Sequence, residues 1–340
     1  MKFLRSPVLL RLFLGLGLIL VSPLHADLNS DLAFSAFSNV DVNAMDGGKV
    51  LQARGPLLDF QRGITAQALY ILNASPAQVQ NKLATWDPSS HPELKVWIRG
   101  TLPPAPKPAD FTLLSKVPDN PSVAYLVNAT PKLNADSPAL QLDKSEVALL
   151  APLLAQKQDD KTLFANFWSQ ILAGRAATFL SGKGAAMKYA ASGGDIPVLD
   201  DAKSLLRSDG KVFHDFHPLL ANTAIVGSTK LPPASLYYDC FDVEGYGALG
   251  TGAIFQAPNG TAIQSLDIEY YVNSGVYTTI ELEKIWPITV NGKNESLVWR
   301  ADLVSTGTIA SLHGIDRMAA SMLMLQDVKQ GVDAFRAEFK

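Results

Sequence analysis

From Leu236 onward, apolar and polar residues alternate along the chain, the mark of strands with one buried face. Leu236 to Val243, Ala253 to Gln256, Ile263 to Val272, Val276 to Ile285 and Ser296 to Val304 read as successive strands. Pro258-Asn259-Gly260, Asn273-Ser274-Gly275 and a loop holding Asn291-Gly292 divide them, which predicts an antiparallel meander. The alternation sets Leu266, Ile268, Tyr270 and Val272 against Asp267, Glu269 and Tyr271. It likewise sets Leu297, Trp299, Ala301 and Leu303 against Val298, Arg300 and Asp302. From Thr308 to about Glu338 the spacing becomes helical, with Leu312, Ile315, Met318, Ala319, Met322, Leu325, Val332 and Phe335 on one broad face. Laying that helix across the apolar side of the sheet buries both surfaces.

Upstream, Gly63 to Leu72 reads as a strand, and Asn73 to Trp86 as a helix with Ser75 at its N-cap and Pro76 at the first helical position. Glu93 to Arg99, Phe111 to Lys116 and Ser122 to Val127 read as further short strands, with a Pro-rich linker at Leu102 to Pro108. Residues 142 to about 222 form a helical block, with helices at Ser145 to Gln156, Lys161 to Leu180 and around Asp200 to Leu206, broken by Gly182, Gly184, Gly193 and Gly194. The stripe Phe164, Phe167, Trp168, Ile171, Leu172 and Phe179 reads as a core face rather than a cofactor box. Residues 27 to about 60 are mixed and loop-like, with a turn at Asp46-Gly47-Gly48.

The N-terminus adds an address. Lys2, Arg5 and Arg11 precede an apolar run from Leu12 to Val21 and then Ser22-Pro23-Leu24-His25-Ala26, the pattern of a secretory signal in residues 1–26. The run is too short to span a bilayer, so no transmembrane segment is expected after cleavage at Ala26. Cleavage removes three basic residues and no acid, taking the net charge from -3 to -6. With 29 basic against 32 acidic residues, nothing favours nucleic-acid binding. Cys240 is the only cysteine, so there is no disulfide, and an exported chain without disulfides fits a bacterial periplasm or secretion from a bacterium.

Tyr70-Ile71-Leu72-Asn73-Ala74-Ser75-Pro76-Ala77-Gln78-Val79, a strand entering a helix, together with the sheet and helix from Ile263 to Glu338, resembles the START-like, or Bet v 1-like, helix-grip superfamily. The resemblance covers about half of the mature chain. It implies an α+β fold in which a curved antiparallel sheet grips a long C-terminal helix, with the helical block as an inserted all-helical lobe. The divisions are then a signal at 1–26, the first part of the core at 27–135, the insertion at 136–229, and the sheet and closing helix at 230–340. The resemblance also implies a tunnel between sheet and helix that takes lipids, sterols or polyketides, or an enzyme such as a cyclase or hydrolase.

The chemistry-bearing motifs are few. His214-Asp215-Phe216-His217 places two histidines on one helical face without a third ligand, and reads as a helix end ahead of Pro218. His91, between Pro88 and Pro92, is a candidate general base with Asp87 or Glu93, or simply part of a rigid turn. Gly245-Tyr246-Gly247-Ala248-Leu249-Gly250 matches the dinucleotide fingerprint in letters, but a strand rather than a helix follows it, so a hairpin connection is expected. Glu281 and Glu283 share a strand face and read as a wet sheet surface, and Arg300, Asp302, Asp316 and Arg317 as an ion-pair cluster. No cofactor, metal site or catalytic residue is assigned.

The leading expectation is a binding protein for an apolar or amphipathic, lipid-like molecule. Tyr270, Ile280, Leu282, Trp299, Ile315, Met318 and Met322 would line its cavity, and Arg300 and Arg317 would anchor a head group. The alternatives are a cell-envelope protein that binds a protein partner, and a hydrolase or cyclase using His91 or the His214/His217 pair.

Overall fold

The computed structural model describes residues 28–45, 48–134, 140–184, 187–189, 195–228 and 231–340. The predicted signal at 1–26, Asp46-Gly47 and Gly193-Gly194 lie outside the described residues. The protein is α+β, built on one eight-stranded antiparallel sheet with helices on both faces. In chain order the strands are β1 (Leu51–Arg54), β2 (Gly63–Leu72), β3 (Val96–Leu102), β4 (Ser235–Val243), β5 (Tyr246–Asn259), β6 (Ala262–Val272), β7 (Thr278–Val290) and β8 (Lys293–Ser305). Their spatial order is β1-β2-β8-β7-β6-β5-β4-β3. The last five strands are a meander, and β2 and β3 close it on either side. The turn between β4 and β5 carries positive φ at Glu244 and Gly245, the hairpin geometry that matches strand twist.

Helix α1 (Pro76–Thr85) begins where the sequence places it: Ser75 accepts the backbone N–H of Gln78, and the Gln78 side chain returns to the Ser75 N–H. Between β3 and β4 the described residues hold a series of helices and turns and a two-stranded ribbon pairing Lys188–Tyr189 with Ile196–Pro197. Its longer helices are α2 (Pro121–Ala129), α3 (Asp160–Thr178), α4 (Val198–Ser208) and α5 (Gly210–Leu220). Two short strand assignments are corrected. Thr112–Lys116 is a 3-10 turn, and Ser122 to Val127 lies within α2, which starts at Pro121 with the Asn120 side chain accepting from the Val123 N–H. A local cap and an N-terminal proline outweigh the β propensity of a six-residue apolar run.

The helices divide between the two sheet faces. Leu69, Ile71, Leu282, Leu297 and Trp299 belong to the large core shared with α3, α4 and α5, including Phe164, Phe167, Trp168, Leu205 and Phe216. Tyr70, Leu72, Ile285 and Val298, their neighbours along each strand, belong to a separate cluster with Val79 and Leu83 of α1 and with Val328, Val332 and Phe335 of α6 (Gly314–Ala337). Adjacent strand residues point to opposite faces, so these are two cores on two sides of one sheet.

The expected arrangement is therefore corrected: the helical lobe covers the apolar side of the meander, and α6 sits against β1 and β2 on the other side. Small residues at Ala66 and Ala68 of β2 seat the second half of α6, while its first half stands over an open groove beside Arg54 of β1 and Gly63, Ile64 and Thr65 of β2. Ion pairs hold the lobe in place. Asp201 of α4 takes Arg62 at 2.6 Å and the Ser305 hydroxyl at 2.6 Å, and Asp215 of α5 takes Lys284 at 2.9 Å.

Candidate functional site

On the α6 side of the sheet, a cleft of about 250 Å³ opens beside the end of α1. Leu83, Trp86, Pro88, Val96, Phe241 and Ile254 form its apolar wall, and its floor is charged. Antiparallel register builds that floor. Asp302, Glu281 and Asp267 stand directly opposite one another across β8, β7 and β6, and in the next row stand Arg300, Glu283 and Ser265. Like charges placed opposite one another repel. Arg300 offsets this by reaching Glu281 at 2.5 Å and Asp302 at 2.6 Å. At the other end Arg99 of β3 reaches Asp239 at 3.2 Å and Asp267 at 3.7 Å, and its guanidinium lies 3.4 Å over the Tyr237 ring. The hydroxyls of Tyr237, Tyr70 and Thr279 donate to Asp267 (2.7 Å), Glu283 (3.3 Å) and Glu269 (2.7 Å).

Six carboxyl groups thus share two guanidinium groups. Burial raises the Asp239 carboxyl to about 6, with Asp267 adding to the rise and Arg99 opposing it. Burial also raises Glu283 to about 7 against the pull of Arg300, with Asp302 adding to the rise. Glu269 and Glu281 are pushed well above the ordinary range, first by burial; Asp239 adds to the rise of Glu269, and Arg300 opposes that of Glu281 while Glu283 adds to it. Asp239 and Glu269 flank Gly250, where a Cβ would lie 2.8 Å from Asp239 Oδ1 and 2.7 Å from Glu269 Oε1. Only glycine leaves room for both carboxyls there. Asp239 is 4% exposed, yet apart from a proton shared with Glu269 its Oδ1 has no hydrogen-bond partner, and the buried indole N–H of Trp86 also lacks one. Buried polar atoms are nearly always satisfied, so an unfilled acceptor and an unfilled donor on one cleft are unusual. Among the described residues no three carboxylate, histidine or cysteine groups are placed to hold a metal ion.

The predicted ligand-binding residues fall into two groups on opposite sides of the sheet. Tyr270, Ile280, Leu282 and Trp299 are fully buried under the helical lobe, on the opposite face from α6. That space is filled: Phe179 stacks on Tyr270 at 3.9 Å, and Phe34 and Phe216 pack on Trp299, whose indole N–H donates to Gln67. Ile315 and Met318, with Arg317, line an open groove of about 810 Å³ between the first half of α6 and Arg54, Leu57, Leu58, Ile64 and Thr65, and Met322 is exposed beyond it. Arg317 spends its donors on backbone carbonyls, among them Gln61 and Gly63, and Arg300 faces the charged floor rather than an apolar tunnel.

His91 sits in a turn between two prolines, bonded to Glu338 at 2.9 Å and 3.4 Å from Glu93, while Asp87 caps the turn through the Ser89 N–H. That network ties the turn after α1 to the end of α6. His214 and His217 are exposed on α5, which runs through Pro218 to Leu220 rather than ending before it.

Sequence reasoning missed Arg99, Tyr237 and Asp239, which come from β3 and β4. The available signal was the polar side of the meander, where Asp267, Glu269, Glu281, Glu283, Arg300 and Asp302 recur at alternate positions on adjacent strands. No family model, no curated protein and no solved structure matches the chain. No helix among the described residues is long and apolar enough to cross a membrane.

Proposed function

We propose that the chain is an exported protein that binds a small amphipathic molecule in the cleft between the sheet and α1. The observation that carries this reading is the pair of unfilled polar atoms, Asp239 Oδ1 and Trp86 Nε1, at a cleft with an apolar wall and a charged floor. Clefts that combine apolar walls with a few buried titratable groups are where ligands bind. The helix-grip reading is supported by the chain order of strand β2, helix α1, strand β3, antiparallel meander and closing helix α6, with the helical lobe inserted after β3. On that reading the ligand lies on the α6 side of the sheet. Export rests on the basic, apolar and small-residue pattern of residues 1–26.

Native mass spectrometry of residues 27–340 purified from periplasm tests the reading, with extraction and identification of any small molecule carried. A molecule bound at fixed stoichiometry, and absent from a Ser265→Phe variant whose larger ring fills the cleft floor, is the expected result. A bare mass that stays bare after incubation with a mixed lipid and metabolite extract would overturn it.

A further inference from the structure

We propose that the ligand of this cleft is a cation, an organic amine whose ammonium group sits on Asp239 and Glu269 while its apolar part lies against Leu83, Trp86 and Ile254. This rests on the reading of the cleft as a ligand site and names the class of ligand. Three observations lead to it. The floor holds a surplus of carboxyl groups that two arginines cannot balance, and both arginines are already engaged, Arg300 by Glu281 and Asp302 and Arg99 by Asp239 and Asp267. Asp239 Oδ1, which no donor reaches other than a proton on Glu269, faces Glu269 Oε1 across the gap that Gly250 leaves open. Two carboxylate oxygens side by side hold together only with a proton or a cation between them. The ammonium of an amine carries three donors and needs no fixed coordination geometry, which suits two carboxylates that form no metal site.

The remaining groups around the site act in the same direction. Glu281 and Glu283 of β7 and Asp267 of β6 add negative charge, and Asp327 of α6 lies near Asp302. Tyr70 and Tyr237 are held neutral by burial. Lys95, which interacts with Asp327 and Asp242, is two-thirds exposed.

In the free protein the surplus is met by protons on the carboxyl groups, as the rise of Asp239 and Glu283 into the neutral range indicates. A cation displaces those protons, so its binding is linked to pH. An alkylamine stays protonated across the range in which these carboxyls titrate, as lysine does.

Titration calorimetry of the mature chain with hexylamine, 1-hexanol and hexanoate at pH 8 and pH 5 decides the matter. The expected result is that hexylamine binds tightest at pH 8, about tenfold or more weaker at pH 5, and that 1-hexanol binds weakly without pH dependence. Asp239→Asn is expected to lose at least about tenfold in hexylamine affinity and to change 1-hexanol affinity by much less. Glu269→Gln is the second variant should Asp239→Asn fail to fold. Binding of 1-hexanol or hexanoate as tight as that of hexylamine, or unchanged amine affinity in the variants, overturns the cation inference and leaves the cleft as an apolar ligand site. Failure of all three compounds to bind overturns the cleft reading itself.

Discussion

Asp239 shows how a single residue can be held at a cost. Its carboxyl is buried beside Glu269, and the attraction of Arg99 does not fully compensate. Replacing it with Asn keeps the shape and removes the charge, so Asp239→Asn is expected to raise thermal stability at pH 8 by on the order of 1–3 kcal/mol and to change it little at pH 5, where the native carboxyl is already protonated. Thermal unfolding at the two pH values checks this, and a destabilised variant at pH 8 would mean that the Arg99 pair outweighs burial. Arg300 behaves in the opposite way, because it is the positive charge that Glu281 and Asp302 share. Arg300→Met leaves those carboxylates facing one another across β7 and β8, and a loss of about 3–5 kcal/mol in urea unfolding is expected at pH 8.

At the scale of elements, α6 carries a glycine in its interior, Gly331, which sits over Arg300. A Cβ there would meet Arg300 Nη2 at 3.9 Å, an ordinary contact, so the space does not require glycine. Gly331→Ala is expected to stabilise the protein by about 0.5–1 kcal/mol through helix propensity, read as a shift in the urea midpoint with an unchanged slope.

The same helix shows what the sequence can and cannot convey. Its existence, the strands of the meander, the Ser75 cap of α1 and the hairpin at Gly245 are all written in local pattern and turn chemistry. Which face α6 covers is not, because the two sides of the sheet both offer apolar residues and only the spatial neighbours decide between them. Trp299 and Val298 are equally apolar in a sequence, yet one packs under the lobe and the other under α1 and α6. The charged floor was half visible for the same reason. Glu281, Glu283, Arg300 and Asp302 lie on strands joined by short turns, but Arg99 and Asp239 are separated by the whole helical lobe and meet only when β3 pairs with β4.

At the scale of the whole molecule, the buried charged layer makes stability respond to pH, together with Glu146 and Asp209 of the lobe, whose carboxyls burial also raises. Asp239 and Glu283 bind protons more tightly in the folded chain than in the unfolded one, at about 6 and about 7 against ordinary carboxylate values. Between the ordinary carboxylate range and these raised values the folded state holds more protons, so stability falls as pH rises. Asp143 and Glu338, whose carboxyls are lowered, titrate below that window and leave its slope alone. The thermal midpoint of residues 27–340 is therefore expected to be higher at pH 5 than at pH 8. General repulsion in an acidic protein acts in the same direction, so salt and variants separate the two sources: 0.5 M salt flattens a slope that arises from surface repulsion, whereas Asp239→Asn with Glu269→Gln removes the share of those two carboxyls and leaves that of Glu281 and Glu283. A slope unchanged in the double variant would place the titrating groups at Glu281 and Glu283 or outside the cleft. Adding hexylamine at pH 8 should recover much of the lost stability if a cation belongs in the cleft, because a ligand that binds only the folded chain stabilises it in proportion to the logarithm of its concentration.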